Sequence, residues 1–168
     1  MRVARSLRDP WVWTQVGLLL AIGAGAPLLG RAVKAGWQDL TPAMPALHPW
    51  RRTGAAILLA GCTIAAWGAV SLGASLTPSV TPLEGSTMVE SGAYAWVRHP
   101  IYLGVIVALT GYALLLTGLL PAAVAGATAT FFFHAKARAE EQRLVWRYRG
   151  YSGYARRVPG LLPRIRRR

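Results

Sequence analysis

The chain has 168 residues, enough for one domain, and 54% of them are hydrophobic while only 15% are charged. This composition is unusual for a water-soluble domain and favours a membrane protein. The net charge is +13, and 11 of the 19 basic residues lie from Lys136 onward, directly after an apolar run. We expect this basic tail to bind membrane lipids through their anionic headgroups. No RNA-binding signature accompanies it, so a nucleic-acid partner is not expected.

Three apolar stretches, the last long enough for two helices, predict an all-α, polytopic membrane protein with about four transmembrane helices. Residues 101–133 carry no charge over a length too great for one straight span, and Thr-Gly-Leu-Leu-Pro at residues 117–121 is typical of a helix break. We therefore expect helices at about residues 11–30, 54–76, 101–117 and 121–136. The last two form a short helical hairpin, and the chain continues beyond it as a cytosolic C-terminal helix and tail.

Small residues in the second apolar stretch predict how it packs. Gly61 and Gly68 are seven positions apart, so they fall on one face of a helix and favour close contact with a neighbouring helix. Cys62 is the only cysteine, which excludes a disulfide within the chain and a metal site built from cysteines. Its small and apolar neighbours predict an inert, buried thiol.

The hairpin and the charges predict the orientation. A hairpin returns the chain to the side that it left, so residues 136–148 should lie near Arg98 and His99. The basic tail places this side in the cytoplasm, and four spans place the N-terminus there as well. The first loop carries four basic residues, which argue against that orientation, but the tail outweighs them. We expect a multi-pass protein of the cytoplasmic membrane with both termini and the site facing the cytoplasm.

The segment GAYAWVRHPIYLG, residues 92–104, is the strongest candidate for a functional site. Proline restricts the residue before it, so Arg98-His99-Pro100 should form a bend that starts a helix. That helix would direct free N–H groups and the positive end of its dipole at the bend. Arg98, His99, Tyr94 and Tyr102 could then hold a small polar ligand at the membrane edge. The alternative is a basic residue with aromatics at a membrane boundary.

The tail contains one acidic pair, Glu140 and Glu141, among its basic residues. One reading is a solvated helix with local ion pairs between glutamate and arginine. The other is a carboxylate fixed by a nearby arginine that receives the amino or hydroxyl groups of a ligand. Tyr151, Tyr154, Pro159 and Pro163 indicate a terminal segment that folds back as a cover.

Three pieces, SGAYAWVRHPIYLG, EEQRLVWRYRGYSGY and RRVPGLLP, are joined by the predicted hairpin. Together they resemble the catalytic half of the isoprenylcysteine carboxyl methyltransferase family and the related membrane phospholipid methyltransferases. The resemblance covers about residues 86–163, and the first two helices match only in kind. It implies one membrane domain over residues 1–168, in which residues 1–76 hold two helices and a connector. Residues 77–168 form the catalytic half with the cofactor pocket.

The resemblance implies S-adenosyl-L-methionine as the methyl donor and S-adenosyl-L-homocysteine as the product. It implies catalytic roles for Arg98, His99 and Glu140, with no metal. The implied cofactor-binding residues are Ser86, Thr87, Met88, Val89, Tyr94, His99, Pro100, Ile101, Tyr102 and Glu140. Lys136 stands where the family has an arginine facing the methyl acceptor, although lysine lacks the planar fork of arginine. Where the family has an aromatic–glycine pair, this chain has Tyr148-Arg149, so its cover can differ from that of the family.

These features lead us to expect a methyltransferase that acts on a lipophilic acceptor. The acceptor could be an isoprenylcysteine-like carboxylate, a phospholipid amine or another lipophilic small molecule, and the sequence does not choose among them. Two alternatives stay open at this stage. One is an NADPH-dependent membrane reductase of the sterol-reductase type, and the other is a non-enzymatic membrane scaffold.

Overall fold

The computed structural model describes residues 9–37, 49–73 and 88–162. Within these ranges the protein is helical and has no strand, which confirms the all-α prediction. The elements in chain order are α1 (Pro10–Trp37), α2 (Pro49–Leu72), a short 3-10 helix (Gly92–Ala95), α3 (Pro100–Thr117), α4 (Leu119–Arg147) and α5 (Tyr151–Arg157).

The first two helices differ from their predicted limits. Residues 31–37 continue α1 and residues 49–53 begin α2, so the expected connector at residues 31–53 is helical at both ends. Proline is tolerated in the first turn of a helix, and Pro49 begins α2. At the other end, α2 stops at Leu72 instead of residue 76. Gly73 follows with a φ of +53°, a conformation that glycine adopts readily at the end of a helix.

The predicted hairpin is confirmed, and its turn is a single residue. Gly118 separates α3 from α4 with a φ of +93°. Pro121 lies in the first turn of α4, where a missing backbone N–H breaks no helical hydrogen bond. The helix then continues to Arg147, as expected from the absence of a helix breaker after His134. This length allows α4 to extend beyond the start of its partner α3.

The predicted glycine seam is the contact between α2 and α3. A Cβ at Gly61 would lie 2.3 Å from the backbone nitrogen of Ala108, and one at Gly111 would lie 2.4 Å from that of Leu58. Gly68 packs in the same way against Pro100 and Ile101 at the start of α3. Backbones this close require small residues on both helices. The seam therefore fixes the start of α3, where the candidate site lies.

The four long helices alternate in direction and bring one end of each to the same region. The Tyr112 hydroxyl of α3 donates to the carbonyl of Gly23 in α1, at 3.0 Å. Asp9, just before α1, lies 3.8 Å from Arg143 near the end of α4. The start of α1, the end of α2, the start of α3 and the end of α4 consequently surround the Arg98–Pro100 bend.

Two helices among the described residues are long and apolar enough to cross a membrane, Trp50–Leu72 and Pro100–Thr117. The predicted four-span topology is therefore supported only for these two. The charge-free part of α4 is short, because Lys136 and Arg138 interrupt it before it could span a core of about 30 Å. Large apolar side chains nevertheless face outward, including Leu20, Leu59, Val70 and Phe131. The expectation of a buried Cys62 is wrong, since this thiol is exposed on α2.

The seam predicts opposite results for two glycine-to-alanine variants. Gly61→Ala should lower the thermal unfolding temperature in detergent, because the new methyl group displaces α3, at a cost of about 1–3 kcal/mol. Gly17→Ala is the control, since nothing lies within 4 Å of a Cβ there. It should leave stability unchanged or raise it by up to about 1 kcal/mol through helix propensity. A Gly61→Ala protein as stable as the wild type would contradict the packing described here.

Candidate active site

The Arg98-His99-Pro100 bend forms as the sequence predicts. His99 has φ −127° and ψ 62°, outside the helical region, and Pro100 is the first residue of α3. The preceding 3-10 helix is attached to the end of α2, because the Ala93 N–H donates to the Ser71 hydroxyl at 3.2 Å. The bend is thus held from both sides, by the end of α2 and by the start of α3.

Arg98 and Glu141 form the central ion pair of the site. Nε of Arg98 donates to Oε1 of Glu141 at 3.0 Å, and Nη2 lies 2.9 Å from the same oxygen. Both side chains are mostly buried, so the pair is screened less by water than a surface pair. The pair joins the bend before α3 to the C-terminal half of α4, on the far side of the hairpin. It confirms that the two segments lie on the same face of the molecule.

His99 contacts the same carboxylate. Its Nε2 lies 3.0 Å from Oε1 of Glu141, and the ring is stacked on Tyr102 with centroids 5.3 Å apart. An ionised carboxylate only accepts hydrogen bonds, so Nε2 carries the hydrogen. Burial opposes ionisation of Glu141, but the hydrogen bond and charge of His99, together with Arg98, outweigh it and lower the pKa of this carboxyl. Glu141 is therefore held in its ionised form.

Glu140 has a different environment from its neighbour. Its Oε2 accepts a hydrogen bond from the Tyr102 hydroxyl at 2.7 Å and lies 3.8 Å from Nδ1 of His99. Within the described residues, its Oε1 accepts no hydrogen bond. The side chain is 24% exposed. Glu140 is thus the carboxylate of the pair that can still accept hydrogen bonds from a ligand.

The C-terminal segment covers the bend, as predicted. Backbone N–H of Arg98 donates to the carbonyl of Pro159 at 2.8 Å, and Nη1 of Arg98 donates to the carbonyls of Ala155 and Val158 at 2.6 Å and 3.1 Å. The Tyr154 hydroxyl donates to the carbonyl of Tyr94 at 2.7 Å. Burial raises the pKa of Tyr154 to about 12, so its hydroxyl stays a donor at neutral pH. The cover is attached mainly to Arg98 itself.

Lys136 is fully buried beside the site. It donates a hydrogen bond to Oε1 of Gln15 in α1, and its Nζ lies 5.4 Å from the centroid of the Tyr102 ring. Lys136 and Glu140 therefore contact two parts of one tyrosine, as expected from residues one helical turn apart. The contact of Lys136 with a methyl acceptor stays a prediction.

The other predicted cofactor residues are placed as follows. Pro100 begins α3, and the Ile101 side chain packs toward Gly68 of α2 rather than toward the carboxylates. Met88 packs near Gly150, at the start of α5, and Val89 follows it outside any helix. Ser86 and Thr87 lie outside the described residues. Cofactor binding by any of these positions stays a prediction.

Sequence reasoning did not assign a role to Glu141, Tyr151 or Gln15. Glu141 was visible only as half of an acidic pair, and adjacent helical residues point in directions about 100° apart. Gln15 is the one side-chain amide in the apolar stretch 11–30, which was a signal for a buried hydrogen bond. Tyr151 was expected in the cover, but its burial depends on the folded tail.

The comparisons with known proteins agree with this geometry. The model of the isoprenylcysteine carboxyl methyltransferase (ICMT) family matches residues 54–146 of the chain. The chain belongs to this methyltransferase family. The match confirms the resemblance, but it begins earlier, within α2, and ends before the cover. Membership and the two apolar helices together indicate a membrane protein.

A relative from Cupriavidus metallidurans is the cobalt-zinc-cadmium resistance protein CzcN, 29% identical over 82 residues. The aligned part is 49% of this chain and 38% of that protein, so the chain matches well under half of the relative's length. In the part of the chain that the structure describes, no three His, Cys, Asp or Glu side chains form a group suited to a metal ion.

The lowered pKa of Glu141 predicts an acid-dependent loss of stability. The folded pKa lies below the ordinary value of 4.5, so ionised Glu141 stabilises the fold above that pH. The contribution disappears as the pH falls through the lowered pKa. At pH 7, Glu141→Gln should reduce the free energy of unfolding in detergent by about 1–3 kcal/mol. The difference from the wild type should shrink as the pH falls below 4.5.

Glu90→Gln is the matched control for this measurement. Glu90 pairs with Arg157 at 2.8 Å, but both side chains are exposed, so its loss should change stability by about 0–1 kcal/mol. A stability difference between wild type and Glu141→Gln that stays constant from neutral to acid pH would contradict the pairing.

Proposed function

We propose that the protein is an S-adenosyl-L-methionine-dependent methyltransferase of the membrane that methylates a lipophilic acceptor. The observation that carries the proposal is the difference in environment between Glu140 and Glu141, which lie on α4 beside the start of α3. The ionised Glu141 is paired with Arg98 and His99. Glu140 keeps one carboxylate oxygen that accepts no hydrogen bond among the described residues. Family membership supplies the reaction class, methyl transfer.

The residues present fit the donor. Its amino acid end carries an ammonium group, for which Glu140 offers a partly exposed carboxylate oxygen. Tyr94 offers an aromatic face, which attracts a cation such as a sulfonium, whereas the Tyr102 ring already contacts His99 and Lys136. Burial raises the pKa of Tyr94, so this hydroxyl is neutral at physiological pH. Met88 and Val89 would line the pocket from the segment before the bend.

The protein's main task in this reaction is alignment. S-adenosyl-L-methionine supplies a methyl group on a positively charged sulfur, and transfer leaves a neutral thioether. Arg98 and His99 fix Glu141, and Tyr102 fixes Glu140, so the site is formed before the ligand binds. The cover shields the bend from water. A carboxylate acceptor needs only positioning, whereas an amine or thiol acceptor must first lose a proton.

The acceptor class follows from where the site lies. The bend joins two apolar helices, α2 and α3, at their common end, so a lipophilic acceptor could enter sideways from the membrane while the donor enters from water. We propose an isoprenylcysteine-like carboxylate, a phospholipid amine or another lipophilic molecule as acceptor. The metal resistance in the name of CzcN belongs to that protein, and we do not extend it to this chain.

The site assignment predicts donor binding that depends on Glu140. Glu140→Gln should weaken the affinity for S-adenosyl-L-homocysteine, measured by calorimetry on detergent-purified protein, at least about tenfold, or ~1.4 kcal/mol. Glu90→Gln, which changes an exposed carboxylate, should bind like the wild type. NADPH is the control ligand, because a reductase of the sterol-reductase type would bind it instead. Unchanged affinity in Glu140→Gln would remove this residue from the donor site.

The reaction itself is tested with donor labelled on its methyl group. Purified protein incubated with labelled donor and a membrane lipid extract should transfer the label to an extractable product, which mass spectrometry can identify. Glu140→Gln provides the background. Donor binding without any labelled lipid product would argue against a lipophilic acceptor.

We further propose that both termini and the site face the cytoplasm. Ser91 and Ser152 are exposed and lie beside the bend and in α5. Single cysteines at these positions, in a Cys62→Ala background, should both resist an impermeant thiol reagent added to intact cells. Both should react after the membrane is permeabilised. Labelling of either cysteine in intact cells would reverse the proposed orientation.

A further inference from the structure

The hydroxyl of Tyr151 is buried and unpaired. The residue is 3% exposed, and its hydroxyl oxygen makes no hydrogen bond in the part of the chain that the structure describes. By contrast, the hydroxyls of Tyr102, Tyr112 and Tyr154 each donate to an oxygen acceptor. A buried hydroxyl without a partner costs folding free energy, which a phenylalanine at this position would avoid. The packing of the described residues therefore does not explain why this position holds a tyrosine and not a phenylalanine.

Tyr151 lies in the cover over the bend, where Met88 packs near Gly150 and the Tyr154 hydroxyl donates to the carbonyl of Tyr94. Tyr151 begins α5, and its ring meets that of Tyr154 edge to face, with centroids 5.9 Å apart. The pKa of Tyr151 is raised by burial first, and then by the negative charge of Glu141, with Glu140 adding to it. The hydroxyl is thus a neutral donor within the cover, whose backbone carbonyls accept the hydrogen bonds of Arg98.

Most donors of Arg98 are already engaged at this place. Its Nε donates to Glu141, its Nη1 donates to the carbonyls of Ala155 and Val158, and its Nη2 lies 2.9 Å from the Glu141 carboxylate. A ligand under the cover that needs a hydrogen-bond donor therefore finds the Tyr151 hydroxyl more readily than the guanidinium.

We propose that the Tyr151 hydroxyl is a binding group of the methyl-donor site, which forms its hydrogen bond with the bound nucleoside-amino acid. This inference rests on the proposed function. It extends the donor site to the C-terminal segment beyond the family match at residues 54–146. It also gives α5 a role beyond shielding, because closing the cover brings a hydrogen-bond donor to the ligand.

The test is a Tyr151→Phe variant with two separate measurements. The thermal unfolding temperature of the ligand-free protein should stay the same or rise, because the variant removes an unpaired buried hydroxyl. The affinity for S-adenosyl-L-homocysteine, measured by calorimetry, should fall about tenfold, the scale of one hydrogen bond to a charged group. Unchanged affinity would overturn the proposal. A lower unfolding temperature accompanied by weaker binding would also overturn it, since the hydroxyl would then be structural.

Tyr112→Phe is the matched control. Its hydroxyl donates to Gly23 between α1 and α3, away from the bend, so its loss should lower the unfolding temperature and leave the affinity unchanged. Glu140→Gln separates the two proposals. If the wild type does not bind the nucleoside, the proposed function fails and this inference fails with it. If Glu140→Gln weakens binding and Tyr151→Phe does not, only this inference fails.

Discussion

The ion pair between Arg98 and Glu141 joins three parts of the chain that are distant in sequence. The arginine fork grips one oxygen of Glu141 on α4, and its remaining nitrogen donates to two carbonyls of the C-terminal segment. A planar, always charged side chain can serve both purposes at once, whereas a lysine could not. Without this pair, the cover would lose its attachment and Glu141 would be a partly buried charge without its main partner, which is unfavourable. The site therefore depends on a contact that also determines tertiary structure.

Two adjacent glutamates have different roles because of helix geometry. Residues next to each other on α4 point about 100° apart, so Glu141 faces the bend while Glu140 faces Tyr102. Both lie near the start of α3, where the helix dipole favours negative charge. One carboxylate is thereby committed to holding the bend and the cover. The other keeps hydrogen-bonding capacity for a ligand, which a single acidic residue at this place could not provide.

The features that the sequence predicts correctly depend on residues that are close together in the chain. The bend at His99 follows from the proline after it, and the hairpin turn follows from Gly118, with Pro121 tolerated in the next turn. The Gly61 seam follows from spacing along one helix face. The choice between Glu140 and Glu141 as the partner of Arg98, and the burial of Lys136 against α1, depend on how separate helices meet. No short-range pattern specifies those contacts. The predicted limits of α1 and α2 and the predicted burial of Cys62 were wrong for the same reason, because they too depend on how the helices pack.

The segment that matches the family contains the candidate site residues, but not all of the groups that hold those residues in place. Residues 54–146 include Arg98, His99, Lys136 and both glutamates. From outside this range, Gln15 of α1 accepts the hydrogen bond of buried Lys136, and the carbonyls around Val158 accept those of Arg98. Buried polar groups are costly unless they are hydrogen-bonded. The matched segment alone would leave two basic side chains without these acceptors. It follows that α1 and the C-terminal cover are parts of the same site, and that the described chain acts as one unit around the bend.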